Sequence, residues 1–192
     1  MSDARAAERQ TLLDLLSELL AVVRAGLRLY RDGVDGTPVE LRDRLLEYGD
    51  ESQRHVDLLE HAIRDLGGDP AYESPHARFV GKLSEIRTSE VEDDPARSLY
   101  FRLEGLLVFE LRDAIIGEVL EGLAASSEDH EAREVLDRMA TTVRSGAALG
   151  AHDVSRPSER IEWLEQAMRT AALDRFGVTP ATRGARFLRG YR

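Results

Sequence analysis

Cysteine is absent from the chain, which excludes a disulfide framework, a thiolate metal site and a cysteine nucleophile. Lysine occurs once, as Lys82, against 25 arginines, a bias that follows genome composition and carries no functional conclusion. No uncharged apolar run approaches the roughly 18 residues of a membrane span. The first ten residues, MSDARAAERQ, lack the apolar stretch of a secretory signal, so the expectation is a cytoplasmic protein with no membrane partner. There is no G-x-S-x-G nucleophile elbow, phosphate loop, dinucleotide fingerprint or zinc motif. Nowhere does the Val/Ile/Thr alternation of a strand occur.

What is present suits one helical domain. The chain has 192 residues, 42% hydrophobic and 32% charged, enough for a substantial core and little room for a second domain. Charge is uneven. Of the total of −10, residues 175–192 hold five arginines and no acid, so residues 1–174 carry 21 basic against 36 acidic residues, or −15. An acidic body repels phosphates rather than releasing their counterions, which argues against a nucleic-acid partner.

Punctuation divides the chain into helices. The first is expected from about residue 6 to Asp32, ended by Gly33-Val34-Asp35-Gly36. Thr37-Pro38-Val39-Glu40 reads as a capping box with proline at the first helical position. That second helix should end at Gly67-Gly68-Asp69-Pro70, where glycine can turn left-handed and proline blocks continuation. A long connection over 67–94 follows, with a short helix opened by Ser74-Pro75. Asp94-Pro95 starts a third long helix to about Ala125. Ser127 is the expected cap of the fourth, and Pro157 opens a shorter fifth that ends near Arg175. Short turns make each pair an antiparallel hairpin, while the long link can run the length of a bundle. Two hairpins joined by one crossover give an antiparallel four-helix bundle.

Several ionisable residues fall on the apolar faces of these helices. Glu18 shares its face with Leu15, Val22, Ala25 and Leu29, and His55 with Tyr48, Leu59, Ala62 and Leu66. Glu110 lies with Leu103, Leu106 and Leu107, with Glu104 as a competitor one face over. Burying an unpaired carboxylate costs several kcal/mol, so these groups need each other, a cation or water.

The stretch Glu51-Ser52-Gln53-Arg54-His55-Val56-Asp57-Leu58-Leu59-Glu60 resembles the second-helix signature EEARHAELLE of the ferritin-like superfamily, including rubrerythrins and related di-iron carboxylate proteins. The resemblance covers residues 6–154. It implies an all-α ferritin-like four-helix bundle with one long crossover and a short fifth helix, and a centre built from one glutamate on each of the first and third helices and Glu-x-x-His on each of the others. Glu18 and Glu110 match the single glutamates, and His55 the first histidine. Ser52 stands where the first bridging glutamate belongs, Val143 at the second, and Gly146 at the second histidine.

With both bridging carboxylates replaced, two readings remain open. In one, the di-iron site is dismantled and the chain is a metal-free binding or structural protein. The smaller side chains would then leave a pocket for a small apolar molecule beside Tyr48, Ser52, Val143 and Gly146. In the other, Glu51 joins Glu18, His55 and Glu110 to hold at most one iron, manganese or zinc ion per chain, for a single-metal oxidoreductase. A register shift of the fourth helix would instead give a haem-oxygenase-like arrangement.

The remaining features are read as structural. His61, His76, His130 and His152 show no ligand spacing with one another, and Trp163 should pack the fifth helix onto the bundle. Arg183, Arg186, Arg189 and Arg192 recur every third residue in a basic tail, 175–192. That tail is expected to dock on an acidic surface, most simply within a homo-dimer or higher homo-oligomer.

Overall fold

A computed structural model describes residues 2–32, 34, 37–89, 95–145 and 157–175. Six helices carry most of them: α1 (Ser2–Arg31), α2 (Val39–Asp65), α3 (Pro75–Ser89), α4 (Pro95–Ser126), α5 (His130–Ser145) and α6 (Pro157–Arg175). Among the described residues there is no strand, and no helix is long and apolar enough to cross a membrane. The basic tail beyond Arg175 and the expected pocket residue Gly146 lie outside the described residues, as does the side chain of Val143.

Helix ends follow local chemistry. At the end of α2, Gly67 takes φ +78°, its N–H donates to Arg64 O at 2.9 Å, and the Gly68 N–H reaches Ile63 O at 2.9 Å. This paired closure satisfies carbonyls that the helix leaves over, and only glycine adopts that φ without strain. Ser74 caps α3, its Oγ accepting from the Ala77 N–H at 3.1 Å. Two expected caps differ. The α2 helix begins at Val39 with Pro38 at the cap and no side-chain bond there, since proline offers no side-chain acceptor, and the Thr37 N–H closes a turn onto Val34 O. Asp129, rather than Ser127, caps α5: its Oδ1 accepts from Glu131 and Ala132, while Ser127 Oγ accepts from the Asp129 N–H.

Packing places α1 against α2 and α4, α5 against α2 and α4, and α6 against α4, and these helices share one core. The pair α1–α2 is antiparallel. A Cβ on Gly49 would stand 3.3 Å from Tyr30 Cβ, and one on Gly68 would meet Leu13. The crossover lies along α1, pinned where Ser17 Oγ donates to Tyr72 O (2.8 Å) and accepts from the Ser74 N–H (3.0 Å).

The fourth side is shared. One long helix was expected there; among the described residues α5 (His130–Ser145) and α6 (Pro157–Arg175) both pack on α4. The α5 end is tied to the start of α1 by Arg9–Asp129 and to the end of α2 by Arg138–Asp65. The α6 helix packs along α4, and its Trp163 meets the Tyr48 ring edge-on at 5.3 Å. Tyr48 and Asp65 are separated by about 25 Å along α2 at helical rise. Thus α5 covers one end of the groove and α6 the other.

Candidate functional site

On α6 the residues Arg160, Leu164, Ala167 and Ala171 follow the i, i+4, i+7, i+11 pattern of one face, and all four are buried. The same turn that docks Leu164 therefore carries a guanidinium into the core. Arg160 is 1% exposed. Its Nε lies 3.2 Å from Glu51 Oε2, and its Nη1 lies 3.1 Å from Glu110 Oε1 and 3.3 Å from Ser52 Oγ. Tyr30 adds a hydroxyl from α1 that donates to Glu110 Oε1 at 2.8 Å. The guanidinium carbon sits 5.6 Å from the Tyr48 ring centre. Three helices thus converge on one cation.

The electrostatics follow from burial and this single charge. Burial alone would lower the Arg160 pKa, but Glu110, Tyr30, Glu51 and Asp113 outweigh it and hold the guanidinium charged. Burial, helped by Arg160 and Arg54, pushes His55 down to about 3, so it is a neutral imidazole at physiological pH. Its Nε2 is buried without a hydrogen-bond partner among the described residues. Burial, and then the nearby Glu110 charge, raises Asp113 to about 7 against the opposing pull of Arg160. Tyr30 is raised well above its ordinary value by burial and by Glu110.

The sequence-expected residues divide between locations. Glu51, Ser52, His55 and Glu110 are all buried, and the first two and Glu110 meet at Arg160. Glu110 rather than Glu104 is the buried glutamate of α4. Glu18 turns elsewhere and pairs with Arg112. Among the described residues no three histidine, aspartate or glutamate side chains gather into a metal-holding group. In this arrangement Glu18, Glu51, His55 and Glu110 do not form one donor set. Three of the four groups face a guanidinium, Glu51 and Glu110 that of Arg160 and Glu18 that of Arg112, which competes for the same lone pairs that a cation would need. The residues present therefore do not fit the metal centre that the resemblance implies.

A cavity of about 900 Å³ lies where α5 gives way to α6. Leu19 and Val23 of α1, His55 and Leu59 of α2, Asp113 and Leu120 of α4, Met139 of α5 and Ile161 of α6 are on its wall. Tyr48 and Ser52, expected to border a pocket, do not line it, because Trp163 and Arg160 fill the space beside them.

Sequence reasoning missed Arg160 and Asp113. Both carried a signal: Arg160 heads the apolar face of α6, and Asp113 is one turn beyond Glu110 on the face of Gly117, Leu120 and Ala124. No protein-family model, curated protein or solved structure matches this chain.

Proposed function

We propose that this chain is a ferritin-like bundle that works without a metal, as a binding protein for a small, largely apolar molecule. The observation that carries this reading is the seat of Arg160 between Glu51 and Glu110. A fixed guanidinium supplies the positive charge that the inward carboxylates require, and does so without redox chemistry or an exchangeable ligand. The pairing of α1 with α2 and α4, and of α5 with α2 and α4, supports the ferritin-like arrangement. The cavity supports the binding role, since its volume lies within the about 300–1,000 Å³ of small-molecule sites.

A homo-oligomer in the cytoplasm belongs to the same proposal. Phe101, Val108, Leu111, Ile115 and Val119 form an exposed apolar stripe of about 27 Å along α4, and their spacing of three, four and seven suits packing against the same helix of a second copy.

The test is metal loading. Protein incubated aerobically with Fe(II) and then desalted should retain no iron above that of a metal-free control protein. One iron per chain, lost in His55→Ala, would support the single-metal oxidoreductase instead.

A further inference from the structure

The cavity wall is divided by chemistry. Leu19, Val23, Leu120 and Ile161 make an apolar lining, while every charged residue on the described wall is acidic: Asp113, Glu118 and Glu121 on α4 and Asp137 on α5. No lysine or arginine is among the described lining residues. Asp113 has neither a hydrogen bond nor an ion pair among the described residues, and Arg160, the cation whose field acts on it, is already engaged by Glu51 and Glu110. On the same cavity wall is His55, 6% exposed, with its Nε2 buried and unpartnered. A neutral imidazole nitrogen can accept a hydrogen bond, and a carboxylate accepts several. Leaving the buried His55 Nε2 without a partner costs about 1–3 kcal/mol, whereas the half-buried Asp113 carboxylate faces the cavity and lacks only a counterion.

We infer that the cavity binds an apolar amine, its ammonium group bonded to the Asp113 carboxylate and its apolar body between α1, α4 and α6, with His55 placed to accept a further N–H. This assignment rests on the small-molecule reading given above and adds the charge and polarity of the ligand. A carboxylic acid would meet like charge on the wall. A neutral alcohol would bury the same hydrocarbon but leave the Asp113 charge without a counterion. A charge-assisted N–H···O bond in a low-dielectric site is about twice as strong as a neutral one.

Calorimetric titration of the full chain with n-octylamine, n-octanol and octanoate separates these cases. The expected result is one octylamine per chain, at least about tenfold tighter than octanol, with octanoate weakest. Asp113→Asn should bring octylamine down to the octanol affinity and leave octanol unchanged. Equal binding of amine and alcohol to the wild-type chain, or tightest binding of octanoate, would overturn this inference while leaving the pocket in place. Absence of binding by all three would overturn the pocket reading with it. The wild-type series decides the preferred charge by itself, so a variant that fails to fold does not shield the assignment.

Discussion

Arg160 Nη1 and Glu110 Oε1 lie 3.1 Å apart in the core, each nearly sealed from water. The two residues are 50 apart in the chain, and the Glu51 carboxylate and the Tyr30 hydroxyl complete the cluster. Because the partners are buried, removing one leaves the others charged and unsolvated.

Arg160→Met should therefore destabilise the protein by about 3–5 kcal/mol. Denaturant unfolding monitored by circular dichroism reads this directly. Adding Glu51→Gln and Glu110→Gln to the same chain should restore much of the loss, since the uncompensated charges leave with the cation. A loss under about 1 kcal/mol for Arg160→Met would mean that the guanidinium is solvated.

Tyr30→Phe tests the hydroxyl alone. It retains the ring packed against Tyr48 and removes the donor to Glu110, a buried bond of 2.8 Å. The expected cost is about 1–3 kcal/mol, measured by the same unfolding assay.

Stability should depend on pH through two opposed groups. Asp113 titrates at about 7 in the folded chain, above its unfolded value, so the folded state binds more protons between about pH 4 and 7 and this group's contribution falls as pH rises through that window. His55 titrates at about 3, below its unfolded value, so the unfolded state binds more protons between about pH 3 and 6.5 and its contribution rises with pH there. The two slopes oppose one another over about pH 4–6.5. Relative to wild type, Asp113→Asn should gain stability from pH 4 to 7, and His55→Gln should lose it over about pH 3–6.5. Melting temperatures across that range check both signs.

Ile115 is 61% exposed in the middle of the α4 stripe. Ile115→Glu should leave the melting temperature of the fold nearly unchanged, because the side chain is not in the core, while shifting sedimentation toward the monomer. An unchanged sedimentation coefficient would remove the stripe from the assembly.

The parts of this structure legible in the sequence are those fixed by short-range chemistry. Gly67-Gly68 and Ser74 mark their helix ends because a left-handed φ and a side-chain acceptor act within one turn. Glu51, His55 and Glu110 could be placed inward from helical periodicity. Asp129 displaced Ser127 as the α5 cap because both offer an oxygen, and the choice depends on the path of the turn. Pro157 marks the start of α6, but the sharing of the fourth side between α5 and α6 has no local mark. It depends on where each apolar face finds room, and the Trp163–Tyr48 contact joins positions 115 residues apart in the chain. Arg160 was hidden for a related reason: a long polar side chain at the start of a helix reads as solvated until the carboxylates that receive it are known.

The most direct measurement is the Nε–H resonance of Arg160 in an amide-type proton–nitrogen spectrum at neutral pH, assigned by its loss in Arg160→Met. A guanidinium held between Glu51 and Glu110 predicts a slowly exchanging signal that moves in Glu110→Gln and keeps its intensity when Mn(II) is added. A signal lost to solvent exchange, or broadened away by Mn(II) at one equivalent, would show that a metal ion and not the arginine occupies the centre of the bundle.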